Sequence, residues 1–291
     1  MAHRAGYVNI IGRPNVGKST LLNALLGEKL VIVNPKAQTT RHRILGILNG
    51  DDHQLVLSDT PGILEPQYRL HENMMHAVDE ALRDADVLLV MVELGEPPAK
   101  AEELVRRADR FKGPVIVLVN KVDLGDQSKL TEALEGWQVI FPNAKVVPIS
   151  ALHGFNVEEL RQRLIELLPE HPPYFPKDEL SDRDMRFFTS ELIREKVLAL
   201  YKQEIPYSTQ VVVNSFEESP EIVRIQADVI VMRESQKGIL IGRGGGALRQ
   251  LGTEARKAIE KFVGTKVFLD LKVRVDADWR ENEQKLRGYG Y

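Results

Sequence analysis

The 291-residue sequence predicts an α/β domain built on a mostly parallel, doubly wound sheet, followed by a smaller α+β domain. Three observations carry this. From Gly6 to about Leu168, short Val/Ile/Leu-rich runs alternate with segments of helical period. Four prolines then fall within the nine residues from Leu168 to Pro176, and beyond them the order of elements changes.

In the first part, strands are expected at Tyr7–Ile11, Gln54–Asp59, Val87–Val92, Val115–Asn120 and Lys145–Ile149. Leu70, Met74, Val78 and Leu82 recur every four residues on one helix. Leu160, Leu164 and Leu167 mark another, with Asn156 as its expected cap and Glu159 three residues on. The prolines stop a helix and leave a stiff, extended connector. The expected division is therefore 1–170 for the first domain, 171–182 for a linker, and 183–291 for the second domain with a C-terminal tail. A long amphipathic helix opens the second domain at about Asp184–Lys202, with Phe188, Leu192, Val197, Leu198 and Tyr201 as its apolar stripe. Strands at Gln210–Phe216 and Ile222–Met232, a Gly-rich helix pair from Lys237 to Val263, and a last strand at Lys266–Val275 complete the order α-β-β-α-α-β.

Composition narrows the function classes. Hydrophobic residues at 43% and charged residues at 28% are those of a soluble globular protein. The longest apolar run, Val87 to Val92, is far short of the ~20 residues a spanning helix needs. The N-terminus has no secretory apolar stretch, so a cytoplasmic protein is expected, and nothing indicates peripheral membrane association. With no cysteine, and seven histidines lacking paired ligand spacing, any metal must be held by oxygen ligands. The net charge of −3 is uninformative, but Arg233–Arg274 carries ten Lys/Arg against four Asp/Glu, a local balance of +6.

Gly12-Arg13-Pro14-Asn15-Val16-Gly17-Lys18-Ser19 matches G-x-x-x-x-G-K-S/T, after a strand and before a helix that begins at Thr20. Its glycines let successive backbone N–H groups and the helix N-terminus face phosphates. Lys18 adds a point charge, and Ser19 offers a hydroxyl to Mg²⁺. Asp59-Thr60-Pro61-Gly62 ends the second strongly apolar strand, where Asp59 can approach Mg²⁺ through water and the Gly62 N–H can sense a γ-phosphate. Asn120-Lys121-Val122-Asp123 supplies a carboxylate that can accept from both N1–H and the exocyclic amine of guanine; adenine cannot match both, so GTP and GDP are expected over ATP. Ser150-Ala151-Leu152 is read as a further guanine-contact loop. The polar segment Asn34–Arg41 should be a switch loop whose threonine completes the Mg²⁺ shell.

In the second domain, Gly242-Arg243-Gly244-Gly245 is a G-x-x-G loop between two short helices, where glycines permit close approach of a nucleic-acid backbone and Arg243 meets phosphate. Lys237 and Arg249 add cations on either side. Ile241 and Leu248 would flank an apolar groove for bases, with core positions in the helix pair as the alternative for both and the favoured one for Leu248. A third glycine, Gly246, would loosen the loop at the helix start.

Read in order, GRPNVGKS, QTTRHR, DTPG, NKVD and SAL, then IGRGGGALRQLG, resemble the Era family of bacterial GTPases over nearly the whole chain. The resemblance implies a P-loop NTPase, Ras-like G domain joined to a KH domain of the second topological type. It implies a monomer that binds GTP and GDP, engages the 3′ end of small-subunit ribosomal RNA during 30S maturation, and has no role on DNA. GTP would favour the RNA-competent arrangement. By resemblance to the T-R pair of related GTPases, the switch threonine is Thr40 over Thr39. Arg243 departs from the lysine often found in the family; both are cations of different contact geometry. Ile63 stands where Ras-like enzymes carry a water-orienting glutamine, so intrinsic turnover should be slow and rest on positioning and electrostatics, with Lys18, Asn15, Thr40 and Gly62 as the groups nearest the reaction. Asn15 occupies the position used by GTPases that hold K⁺ beside the phosphates, so K⁺ stimulation is expected. Two other readings stay open at this stage: a GTPase of another class, serving tRNA modification or translation, and a nucleotide-gated scaffold with little hydrolysis.

Overall fold

The computed structural model describes residues 2–98 and 101–291. It divides into two compact units, one of residues 1–66 and 71–182, the other of residues 67–70 and 183–291.

The first unit contains β1 (Arg4–Gly12), α1 (Lys18–Leu26), β2 (Ile44–Asn49), β3 (His53–Asp59), α2 (Arg69–Asp84, all but its first two residues), β4 (Val87–Glu93), α3 (Glu102–Ala108), β5 (Val115–Asn120), α4 (Gln127–Ile140), β6 (Lys145–Pro148) and α5 (Val157–Leu167). The sheet order is β2-β3-β1-β4-β5-β6. Every neighbouring pair is parallel except β2 with β3. Val87 to Val92 are all buried, as expected of a strand covered on both faces. Because β1, β3, β4 and β5 run in one direction, the loops that follow them gather along one edge of the sheet, beside the point where the strand order reverses around β1.

The sequence reading missed β2. Its apolar residues Ile44, Leu45, Ile47 and Leu48 are interrupted by Gly46, which weakens a strand pattern. Here the glycine serves packing: a Cβ on it would stand 2.8 Å from Leu26 Cδ1, so the Leu26 side chain of α1 would have to shift to admit one. The signal that could have found the strand is Asn49-Gly50, a hairpin dipeptide, and the turn is closed by the Gly50 N–H donating to the His53 carbonyl at 2.9 Å. Asn156 stands at the N-cap position of α5 as expected, but without a side-chain capping bond. This residue takes the left-handed conformation (φ 59), and its side-chain amide donates instead to the Pro148 carbonyl at 2.9 Å.

The segment 171–182 is not a free connector, because it lies along the sheet edge as part of the first unit. Fully buried Gln54 accepts from the Tyr174 and Phe175 N–H groups at 2.7 and 3.0 Å, and its amide donates to the Phe175 carbonyl at 2.9 Å. Further along, the Ile47 N–H donates to the Leu180 carbonyl at 2.9 Å and Ser181 Oγ to the Leu45 carbonyl at 2.6 Å.

The second unit contains α6 (Met185–Leu200), α7 (Ile205–Ser208), β7 (Gln210–Glu217), β8 (Ile222–Val231), α8 (Glu234–Ile241), α9 (Gly246–Val263), β9 (Lys266–Val275) and α10 (Glu283–Gly288). Its sheet runs β7-β8-β9, the first pair antiparallel and the second parallel. Asp184 caps α6, accepting from the Phe187 N–H at 2.8 Å. Ile193, Val197, Ile225, Val229, Leu251 and Ile259 pack into the core between the helices and the sheet. The Tyr201 hydroxyl donates to the Leu240 carbonyl at 2.9 Å, fastening the end of α6 to α8 just ahead of the glycine loop.

Replacing Gln54 by Leu removes acceptor and donor together and leaves the part-buried Tyr174 and Phe175 N–H groups without their side-chain acceptor. Urea denaturation should show a loss of about 1–2 kcal/mol, the scale of losing hydrogen bonds to part-buried donors.

Candidate functional site

At the carboxyl edge of the first unit's sheet, a cavity of about 340 Å³ is lined by residues of all five loops singled out from the sequence of this domain. The loop from Gly12 to Gly17 follows β1 and turns sharply: Asn15 has φ 67 and Gly17 φ 106. A Cβ on Gly12 would stand 2.3 Å from the Met91 carbonyl oxygen, and one on Gly17 2.4 Å from Asn120 Nδ2, so neither position has room for a side chain. Lys18 opens α1 with its ammonium folded back over this loop, donating to the Gly12 and Arg13 carbonyls at 3.1 and 3.0 Å. Burial pushes it down to about 8, against the pull of the Asp59 and Glu96 carboxylates.

Three oxygens meet beside it. Ser19 Oγ donates to Asp59 Oδ2 at 2.7 Å, Thr40 Oγ1 donates to the same oxygen at 3.1 Å, and the two hydroxyls are 3.0 Å apart. Asp59 is fully buried, and its second oxygen, Oδ1, has no hydrogen-bond partner. Burial raises its pKa, opposed by the Ser19 hydroxyl, the Lys18 charge and the Thr40 hydroxyl. A buried carboxylate oxygen left unpaired beside two hydroxyls is a set of hard donors that fits Mg²⁺. Thr39, the alternative switch residue, turns into its own loop and donates to the Lys36 carbonyl at 2.6 Å and the Asn34 carbonyl at 3.2 Å. The geometry thus brings Thr40, and not Thr39, to Ser19 and Asp59.

At the other end of the cavity, Asn120 joins loops that are far apart in sequence. Its amide donates to the Val16 carbonyl at 2.7 Å and its Oδ1 accepts from the Ala151 N–H at 3.0 Å. Ser150 Oγ donates to Asp123 Oδ1 at 2.5 Å and holds that carboxyl below its ordinary range. The Asp123 carboxylate is therefore ionised and oriented, as an acceptor for two donors on a base edge must be. Lys121, with φ 64, donates to Glu93 Oε2 at 2.8 Å.

Several sequence candidates support the site from outside its lining. Gly12, Val16, Asp59, Thr60, Pro61 and Ala151 are not on the cavity wall; Thr60 Oγ1 is tied to the Ile10 carbonyl at 2.6 Å. Arg13 points away toward Glu96. The wall does include Pro14, Asn15, Thr20, Gly62 and Leu152. It also includes Val33 and Leu124, which the sequence reading passed over because exposed apolar residues, here 42% and 75% accessible, are ordinary on protein surfaces. Leu124 directly follows Asp123, the signal that could have found it. Ile63 is buried and its N–H donates to the Gly12 carbonyl at 3.0 Å, so no polar side chain faces the cavity from that position.

In the second unit, Gly242, Gly244 and Gly245 have φ of 69, 58 and 74. A Cβ on Gly242 would stand 2.7 Å from that of Ala247, which brings the loop flush against α9. Arg243 and Arg249 are exposed, Lys237 Nζ lies 4.0 Å from Glu234, and Ile241 and Leu248 are half-buried, so Leu248 is not a core residue. Gly246 has an ordinary helical φ of −63 and opens α9, so it extends the helix and does not loosen the loop.

Residues 7–121 match the family described as 50S ribosome-binding GTPase, and residues 204–280 match the KH domain. The chain is 46% identical to GTPase Era of Geotalea daltonii, over 99% of this chain and 97% of that protein. The chain belongs to the Era GTPase family. GTPase Era of Syntrophus aciditrophicus is 43% identical over 99% of this chain and 95% of its own length. Among solved structures, an Era in complex with MgGDPNP and nucleotides 1506-1542 of 16S ribosomal RNA superposes with a TM-score of 0.95 at 38% identity, covering 99% of each chain. An Aquifex aeolicus Era bound to GDP and AlF4⁻ has the same TM-score, identity and coverage. As a member of the Era family the chain is a GTPase. No helix among the described residues is long and apolar enough to cross a membrane.

Thr40→Ala should lower GTP turnover about 100-fold, the scale of losing one group that stabilises transition-state charge. Thr39→Ala should change it by less than about threefold, since that hydroxyl serves its own loop; single-turnover hydrolysis compares the two.

Proposed function

We propose that the cavity binds Mg²⁺·GTP and hydrolyses it slowly, and that the glycine loop of the second unit binds the 3′ end of small-subunit ribosomal RNA in the cytoplasm during 30S assembly. The nucleotide half is carried by one observation, the unpaired buried oxygen of Asp59 beside the Ser19 and Thr40 hydroxyls.

The backbone N–H groups from Asn15 to Ser19 and the Lys18 ammonium would cradle the β- and γ-phosphates. Ser19 and Thr40 would hold Mg²⁺ directly and Asp59 through water. Mg²⁺ bound there supplies neutralisation of charge on the phosphates during transfer. Asp123 reads guanine, Asn120, Ser150 and Ala151 fix its loop, and the side chains of Leu124 and Leu152 flank the base. Hydrolysis forms a bond from a water oxygen to the γ-phosphorus and breaks the bond to the β–γ bridging oxygen. With buried Ile63 following Gly62, no glutamine orients that water, which supports slow turnover that depends on the phosphate loop.

Asn15 lines the cavity in the left-handed conformation next to the phosphate loop, which supports a K⁺ site beside the phosphates. Turnover in KCl should exceed that in NaCl at equal ionic strength, and Asn15→Ala should remove the difference. Equal rates in both salts for the wild-type chain would discard the ion.

For RNA, Arg243, Lys237 and Arg249 supply the cations, and the half-buried Ile241 and Leu248 the apolar wall. Gly244 offers a clean test: nothing lies within 4 Å of an added Cβ, and its φ of 58 is one that aspartate tolerates. Gly244→Asp should keep the fold while repelling phosphate, weakening crosslinking of GTP-loaded protein to 3′-end RNA about tenfold or more at fixed salt. Unchanged crosslinking would remove the loop from the RNA site.

A further inference from the structure

The phosphate loop and the guanine loop are both held by a third segment that no sequence motif marks. β4 ends at Glu93 and turns through Leu94 and Gly95 to Glu96, with the Glu96 N–H donating to the Glu93 carbonyl at 2.9 Å. Gly95 takes the φ of 85 that the turn needs. Two further bonds fix the turn: the Leu94 N–H donates to the Asn120 carbonyl at 2.8 Å, and the Glu93 N–H to Glu96 Oε2 at 3.2 Å.

Its two carboxylates serve different loops. Glu96 Oε1 lies 3.4 Å from Arg13 Nη1, and the Glu96 side chain is only 8% exposed. Glu93 Oε2 accepts from Lys121 Nζ at 2.8 Å. Arg13 adjoins Pro14, which stands against Gly62 so closely that a Cβ there would be 2.7 Å away; the Glu96 contact therefore leads to the γ-phosphate end of the cavity. Lys121 sits between Asn120 and Asp123, so the Glu93 contact leads to the base.

We propose that the Glu93–Glu96 turn is a positioning element of the GTPase site: Glu96 sets the phosphate loop through Arg13, and Glu93 sets the guanine loop through Lys121. Both ion pairs are part-exposed and add little to global stability. Their effect is on where two loops stand, and displacements well under 1 Å matter to a phosphoryl-transfer site. The inference rests on reading the cavity as the GTP site.

The test uses the full-length chain and its Glu93→Gln, Glu96→Gln, Arg13→Gln and Arg13→Gln/Glu96→Gln variants. GDP release is followed with a fluorescent GDP, turnover at saturating GTP, and melting temperature in parallel. Glu93→Gln should speed GDP release about fivefold and Glu96→Gln should slow turnover about fivefold, the upper range for part-exposed ion pairs. Arg13→Gln should reproduce Glu96→Gln, and the double variant should be no worse than either single. Equal losses of both readouts in both glutamate variants, additive losses in the double variant, or losses that simply follow melting temperature overturn the proposal. A wild-type chain that binds no GDP or never turns over GTP sinks the reading of the cavity itself, and this inference with it.

Discussion

The buried carboxylate of Asp59 is the interaction on which the rest of the nucleotide site depends. An ionised group removed from water costs several kcal/mol unless charge and hydrogen bonds replace the solvent. Here the replacements come from two separate parts of the chain: the Lys18 ammonium and Ser19 hydroxyl at the start of α1, and the Thr40 hydroxyl from the loop ahead of β2. Both hydroxyls converge on one oxygen, Lys18 acts through its charge alone, and the other oxygen is left without a partner. A site built this way is incomplete until a cation arrives, and the position of Thr40 is tied to whatever completes it. That is the physical basis on which a bound phosphate can move a loop.

The two units solve the same problem with the same device. Close approach to a phosphate needs backbone N–H groups free of intervening side chains, and both proposed sites use glycines for it. In the first, Gly12, Gly17 and Gly62 abut Met91, Asn120 and Pro14 too tightly for a Cβ. In the second, Gly242 abuts Ala247 while Gly244 and Gly245 take left-handed backbone. The difference lies in what surrounds the glycines. The first loop closes over a cavity with an oriented carboxylate at its far end, suited to one small ligand. The second stands exposed between two helices with cations beside it, suited to a long chain of phosphates.

Most of the proposed phosphate and guanine site was legible in the sequence because each piece follows a strongly apolar strand, and parallel strands deliver their following loops to one edge. Lys18, Asp59 and Asn120 were readable for that reason. What was not legible depends on distance along the chain. Strand β2 was hidden by Gly46, whose role, contact with Leu26, exists only after α1 has packed. Asn156 has the composition of a helix cap but is turned away by a bond to Pro148. The proline-rich stretch reads as a stiff, extended linker from its residues alone, and nothing in them shows that Gln54, some 120 residues earlier, captures its backbone. Glu93 and Glu96 belong to no motif, and their partners Lys121 and Arg13 lie 28 and 83 residues away.

The most direct test of the link between Asp59 and the loop carrying Thr40 is hydrogen–deuterium exchange of residues 34–41 with a non-hydrolysable GTP analogue and with GDP, each with and without Mg²⁺. If the unpaired Asp59 oxygen and the two hydroxyls form a cation site completed by a γ-phosphate, this segment should exchange more slowly with the analogue and Mg²⁺ than in the other three conditions. Equal exchange in all four would contradict it, and would mean that the loop is held by the protein alone.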